Sequence, residues 1–246
     1  MHIEHRYYIR NGVIEVEQVS ASRYGDHSGR SARRKPTEED VKKWNRIRAA
    51  KRLRRKIDAN FEAGDIYLTL TYRRDELRTW AGCQDDLKKF LNRLKYQYKK
   101  RGQPFKWVRA SGLTKKGKAH HHLILNRIDG IDYMAELTRL WKYGRSKFEL
   151  LYEDESRYMQ LADYLVKHKI ETAEDTGEDV RVRQAYSCSR NLNTPRCKTV
   201  VISEKTLYRA PKVPTGYRIQ WNQDTDQGIN SQGYRYRYFR LIRKRE

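Results

Sequence analysis

An α+β fold, with helices laid against a mostly antiparallel sheet, is predicted for this 246-residue chain. Three observations carry the prediction. Between Gly64 and Ile170 the apolar pattern switches between a period of two and a period near 3.6, in the order β-α-β-β-α-β-α. Hydrophobic residues make up only 37% of the chain and mean hydropathy is −1.03, enough for one modest core with solvated flanks. The length allows one large domain, or one domain with extensions.

The elements follow in chain order. His2 to Val19 holds one or two short strands. Residues 21–35 are rich in Ser, Gly and Arg and read as a flexible basic linker. A helix starts after Pro36, where Thr37 and Asp40 form a capping-box-like pair. Its apolar positions are Val41, Trp44, Ile47, Leu53, Ile57 and Phe61. Residues 66–73 (IYLTLTYR) alternate as a strand, with Ile66, Leu68 and Leu70 on one face and Tyr67, Thr69 and Thr71 on the other. An amphipathic helix over 81–101 buries Leu87, Phe90, Leu91 and Leu94. Strands at 105–112 and 119–127 flank a basic turn at 114–118. A helix at 133–143, a short strand at 148–152 and a helix at 155–170 complete the series. Residues 171–179 form an acidic loop, and 182–186 and 199–202 read as short strands. There is no internal repeat. The chain therefore divides into an N-terminal arm (1–62), a central domain (63–215) and a basic Tyr/Arg-rich tail (216–246).

Charge points to the partner. Lys plus Arg number 54 against 31 Asp plus Glu, a net charge of +23. Such a balance calls for a polyanion, most commonly nucleic acid. An anionic membrane is the competitor, but no apolar run approaches the roughly 18 residues of a spanning helix. His2, Glu4, His5 and Arg6 interrupt any signal segment, so a cytoplasmic protein without a membrane partner is expected. Cys83, Cys188 and Cys197 are odd in number and not spaced as CxxC, which argues against a disulfide framework or Cys-rich zinc site.

The cations cluster. Lys42, Lys43, Arg46, Arg48, Lys51, Arg52, Arg54, Arg55 and Lys56 share one helix with hardly an acidic partner among them. They form either a solvated face or a phosphate-tracking surface, and their mutual repulsion favours the second. In the tail, Tyr234, Tyr236 and Tyr238 share one strand face, and Arg235 and Arg237 the other. That pattern suits either stacking of unpaired bases or an edge strand whose tyrosines join the core.

The chemistry-bearing residues are His120, His122, Tyr164 and Lys167. On the strand 119–125, His120 and His122 point to one face, while His121, Leu123 and Leu125 point to the other. Two neutral imidazoles can grip one divalent metal, and an added carboxylate would shift preference toward Mg or Mn. On the 155–170 helix, at about 100° per residue, Met159, Leu161, Ala162, Leu165, Val166 and Ile170 fill one apolar arc. Tyr158 lies in that arc. Tyr164 falls opposite, among Gln160, Lys167 and His168, which weakens a packing role. A tyrosine hydroxyl is a poor nucleophile at neutral pH, but a cation beside the phosphate lowers the barrier, and attack on DNA would retain the bond energy in a phosphotyrosine.

The segments LTLTY (68–72), HHH (120–122) and YLVK (164–167) resemble the three ordered motifs of HUH-superfamily rolling-circle replication initiators. They are most like the Rep-like proteins of bacterial plasmids, integrated elements and small single-stranded DNA phages. Cys188-Ser-Arg-Asn-Leu192 and the basic helix also look like bacterial members, and the resemblance covers roughly residues 36–215. It implies a central antiparallel sheet of about five strands flanked by helices, with the histidines on a middle strand and a basic N-terminal helical arm. It also implies a metal-dependent, single-tyrosine endonuclease. Such an enzyme nicks single-stranded DNA or an origin hairpin, leaving a 5′-phosphotyrosine and a free 3′-hydroxyl, and later rejoins the strand. Mg or Mn is the expected ion, with no small-molecule cofactor. The tyrosine follows the histidines, unlike the order in relaxases of the superfamily. Where many relatives carry a third metal ligand, this chain reads Arg109-Ala110-Ser111-Gly112, so the third ligand comes from elsewhere or is water. No P-loop is present, so unwinding falls to a host helicase or supercoiling, with a host polymerase to extend the 3′-end. A single-tyrosine transposase and a non-cleaving single-strand-binding regulator are the alternatives.

Overall fold

The computed structural model describes residues 2–20, 37–73, 78–114, 117–152, 158–173, 186–221, 227–229 and 235–244, with backbone only at 134 and 168–173. The chain divides into two compact units, Met1–Asn45 with Thr194–Glu246, and Arg46–Asn193. The α+β class and the central antiparallel sheet agree with expectation. The expected division into arm, central domain and tail differs from the structure, because strands from both ends of the chain pair with one another. The 21–35 linker lies outside the described residues.

The Arg46–Asn193 unit holds a five-stranded antiparallel sheet. Its strands are β3 (Ile66–Thr71), β4 (Trp107–Leu113), β5 (Ala119–Leu125), β6 (Ser146–Leu150) and β7 (Ser187–Cys188), in the order β6-β3-β5-β4-β7. Four helices accompany them: α1 (Glu38–Asn60), α2 (Trp80–Lys100), α3 (Tyr133–Leu140) and α4 (Met159–Ala173). α1 begins in one unit and ends in the other. Its start is the reciprocal capping box foreseen: Asp40 N–H donates to Thr37 Oγ1 at 3.1 Å, and Thr37 N–H donates to Asp40 Oδ2 at 3.0 Å.

Helices cover both faces of this sheet. Leu53, Ile57 and Phe61, near the end of α1, and Ala162, Leu165 and Val166 of α4 form one core with Val108, Ala110 and Ile124. Leu87, Phe90 and Leu94 of α2 and Leu137 and Leu140 of α3 form a second core with Ile66, Leu68, Leu70, Leu123 and Leu125. β5, in the middle, is therefore buried along all seven residues. This explains how a strand carrying three histidines sits inside a protein: alternate side chains enter two different cores.

Boundaries shift by a few residues from those expected. β6 starts at Ser146 rather than 148, and α4 starts at Met159 rather than 155. Residues 171–173 of the expected acidic loop belong to α4, and 174–179 lie outside the described residues. Of the expected strand 182–186, only Tyr186 is described, and it precedes the short β7. Gly144 closes the ladder beside the histidines. A Cβ there would lie 2.1 Å from Thr71 O, so only glycine lets Thr71 and Arg145 exchange backbone hydrogen bonds of 2.9 and 3.1 Å.

The other unit is a six-stranded antiparallel sheet in the order β10-β11-β2-β1-β8, with β9 also pairing β11. The strands are β1 (His2–Ile9), β2 (Val13–Ser20), β8 (Arg196–Ile202), β9 (Tyr217–Gln220), β10 (Gln227–Ile229) and β11 (Arg235–Arg243). Asn11 and Gly12, both at positive φ, turn β1 into β2. The expected tail is thus an interior strand, β11, flanked by β2 on one side and β9 and β10 on the other. Val16, Phe239 and Leu241 form its apolar core.

Candidate active site and nucleic-acid interface

Register assembles the candidate site on the α1/α4 face of the five-stranded sheet. His122 sits opposite Thr69 of β3 and Ala110 of β4; His120 sits opposite Thr71 and Gly112. The two imidazole centroids are 5.0 Å apart, and both side chains are buried. β3 supplies the hydroxyls around them. Tyr67 Oη lies 2.8 Å from His122 Nδ1, with the two rings stacked at 2°, and Thr69 Oγ1 lies 3.3 Å from the same nitrogen. β4 supplies only a methyl group and a glycine, so no third ligand comes from the residues opposite.

Tyr164 arrives from α4. Ala162, Leu165 and Val166 anchor the helix in the core, which turns Tyr164 outward, 43% exposed. Its ring meets His122 edge-on, with centroids 5.2 Å apart. Burial of its inner side raises the phenol pKa above the ordinary value, and Tyr67, burdened by desolvation and by the neighbouring Tyr164, is raised further. Both are therefore protonated at neutral pH. Lys167 is exposed one turn along the same face. Tyr158 is buried in the core at φ 60, as its place in the apolar arc implied. Asp163, beside Tyr164, has its carboxyl pKa raised by desolvation, against the pull of Arg54, Arg46 and Lys51. The basic helix thus passes alongside the tyrosine-bearing helix.

The middle histidine has a different task. His121 is fully buried on the α2/α3 face. Its Nε2 lies 3.1 Å from Tyr72 Oη and its Nδ1 lies 2.7 Å from Ser111 Oγ. Tyr72 donates its one proton to Cys83 O, so His121 Nε2–H donates to Tyr72, and Nδ1 accepts from Ser111. Desolvation, with the charges of His120 and Arg109, pushes its pKa down to about 3.

Among the described residues there is no group of three or more His, Cys, Asp or Glu that could hold a metal ion. The donor set on hand is two imidazoles. That fits a catalytic ion whose other positions are open to water and substrate oxygens rather than a closed structural site. A hydrogen bond to the far nitrogen of His122 is the usual support for a metal-ligating histidine, and Tyr67 occupies that place. Sequence reasoning placed Tyr67 and Thr69 on one face of their strand; it had no means to see that this strand pairs directly with the histidines.

The nine cations of α1 divide. Lys42, Lys43, Arg46, Arg48 and Arg52 are exposed, and Lys51 and Lys56 are partly so. Arg54 and Arg55 are buried, because the last turns of α1 pack into the core, so the expectation that they meet DNA is corrected. In β11, Arg235 is exposed, but Arg237 is buried and donates to Gln18 Oε1, Arg209 O and Thr206 O. Arg237 is a structural clamp rather than a DNA contact. Tyr238 is buried, Tyr236 packs edge-on against Trp44 at 5.6 Å, and Tyr234 lies outside the described residues.

The 188–192 segment is pinned to its neighbours. Ser189 exchanges hydrogen bonds with the Trp107 backbone, Asn191 Nδ2 donates to Phe105 O, Leu192 is buried, and the adjoining Asn193 N–H donates to Asn60 Oδ1.

Residues 65–169 match the family model of the ORF2-type replication-associated protein. This segment is Rep-like. The matched family is one of rolling-circle replication initiators. The Rep-like segment begins at the start of β3 and runs into α4, so it contains His120, His122, Tyr164 and Lys167. No curated protein matches the chain, and no solved structure does. No helix among the described residues is long and apolar enough to cross a membrane.

Proposed function

We propose that this chain initiates rolling-circle replication by nicking single-stranded DNA at an origin, with Tyr164 as the nucleophile. One observation carries the proposal: within the Rep-like segment, an outward-facing tyrosine on α4 meets the histidine strand, at 5.2 Å between the Tyr164 and His122 rings. His120 and His122 would hold a divalent ion, Mg or Mn. When bound, that ion supplies positive charge against the scissile phosphate. The Tyr164 oxygen attacks phosphorus and the P–O3′ bond breaks. The phenolic proton ends on the departing 3′-oxygen, and the 5′-phosphate stays on Tyr164. The reverse step rejoins the strand without ATP. Lys167 stabilises charge on the phosphate or on the forming phenolate. Tyr67 and Thr69 hold the His122 ring. The exposed cations of α1 hold the flanking phosphates, and a host helicase and polymerase continue from the 3′-hydroxyl.

The decisive test is incubation with an origin-containing oligonucleotide and Mn or Mg, followed by a denaturing gel and peptide mapping. A covalent adduct at Tyr164 is expected, lost in Tyr164→Phe with DNA binding kept, and retained in Tyr158→Phe. Lys167→Ala should slow its formation by roughly 10²–10³-fold. A phosphotyrosyl link at another residue would refute the assignment. The alanine and glycine opposite the histidines favour a second reading, a regulator that binds without cutting, and the complete absence of adduct would select it. A single-tyrosine transposase would use the same chemistry, and the junction products distinguish it.

A further inference from the structure

The two-ended sheet carries an aromatic–cation pair held in a way that surface packing does not require. Tyr208 follows a 3-10 turn (Glu204–Leu207) whose one buried side chain is Leu207. Its ring is 64% exposed, and the Arg235 guanidinium lies over it at 4.5 Å from the centroid. The backbone beneath is locked from inside the protein. Buried Arg237 donates to Thr206 O at 2.8 Å and to Arg209 O at 2.6 Å, the carbonyls on either side of Leu207 and Tyr208. Arg237 is itself held by Gln18 Oε1 at 2.8 Å, and Gln18 donates to Glu4 Oε2 at 2.5 Å.

The surroundings are cationic. Lys205, Arg209 and Lys212 are exposed beside Tyr208. On the sheet, Arg235, Arg237 and Phe239 alternate onto one face. Register carries that face through Val16 and Arg6 to Lys198, and through Ile14 and Tyr8 to Arg196, both on edge strand β8. Tyr8 is 41% exposed there. Arg6 is partly neutralised by Glu4 at 2.5 Å. None of Lys205, Arg209, Lys212, Arg235, Arg196 and Lys198 ion-pairs with a carboxylate among the described residues.

A cation–π pair formed for stability alone contributes little at an exposed site and needs no buried clamp under it. An aromatic ring held rigid, backed by arginine and open to solvent among unpaired cations, has the composition of a base-stacking platform. We propose that Tyr208 and Arg235 stack an unpaired base of single-stranded DNA, with Lys198 and Arg196 taking phosphates across the same sheet face. Duplex DNA is disfavoured because its bases already stack on one another, leaving no free face for Tyr208. The proposal takes DNA as the partner from the functional reading and uses none of its nicking chemistry.

The test is binding of a fluorescein-labelled oligothymidylate by the full chain in EDTA, followed by anisotropy, with crosslinking to a 5-iododeoxyuridine oligonucleotide as a second measurement. Tyr208→Ala should weaken binding on the order of tenfold, within the range for one stacked base, while Tyr208→Trp retains it. The salt dependence of log K should be unchanged in both. It should become shallower by about 0.7 for each cation removed in Arg196→Gln and Lys198→Gln. Crosslinks should map to residues 205–212. Affinity of Tyr208→Ala equal to that of the parent chain, or crosslinks wholly outside that stretch, overturns the proposal. Both measurements run without metal, so loss of nicking would leave this result standing, and the converse holds.

Discussion

The histidine triplet shows how one residue type serves two ends within three positions. His120 and His122 face the tyrosine helix, whereas His121 has both ring nitrogens engaged, by Tyr72 and Ser111. Strand alternation made this separation of faces legible in the sequence. The partners were not legible, since Tyr72 lies 49 residues away from His121. A substitution at His121 that looks harmless for catalysis is therefore costly for folding. His121→Ala should destabilise the protein by about 2–4 kcal/mol, through a cavity and two buried hydroxyls stripped of a partner. The same residue makes stability depend on pH. In the unfolded chain His121 takes a proton near its ordinary value; in the folded chain it does so only near about 3. Its contribution is complete above about pH 6.5 and falls by about 1.4 kcal/mol per pH unit as acid is added, toward pH 3. Urea midpoints measured between neutral pH and pH 5 should drop accordingly, and His121→Gln, which cannot protonate, should show a shallower decline.

Among the elements, α4 and β5 were read correctly from periodicity because their two faces differ sharply in chemistry. β11 was read correctly as a strand and incorrectly as a surface. Alternation separates its tyrosines from its arginines but does not reveal a neighbour on each side. Its pairing with β2 spans more than two hundred residues, as in Arg237 with Gln18. The same strand brings Arg240 opposite Glu15, both fully buried. Two charges side by side without solvent tolerate joint replacement better than the loss of one. Arg240→Met alone, or Glu15→Leu alone, should cost about 3–5 kcal/mol, and the double variant much less. Urea denaturation of the three variants measures this directly; additive losses would show that the two side chains act independently. The buried end of α1 was misread for a related reason. Arg54 and Arg55 sit on turns that Leu53 and Ile57 draw into the core, and a continuous run of cations hides that change of environment.

At the scale of the whole molecule, one unit was legible and the other was not, and contact distance along the chain explains the difference. The Rep-like unit is written contiguously, each strand paired with another inside residues 46–193. The other sheet has its hairpin at one end of the chain and its central strand at the other. That nesting sets an order of assembly during synthesis. The β1–β2 hairpin leaves the ribosome first and must wait for β11, whose first residue, Arg235, follows Ser20 by 215 positions. At 5–20 residues per second the delay is about 10–45 s, far longer than a hairpin needs to form. Throughout that interval the strand edge meant for β11 stands open to other chains. A nascent chain halted before Arg235 should show the 46–193 unit resistant to protease and β1–β2 still cleavable. Crowded polysomes, where many such hairpins wait together, are where this protein is most exposed to mispairing.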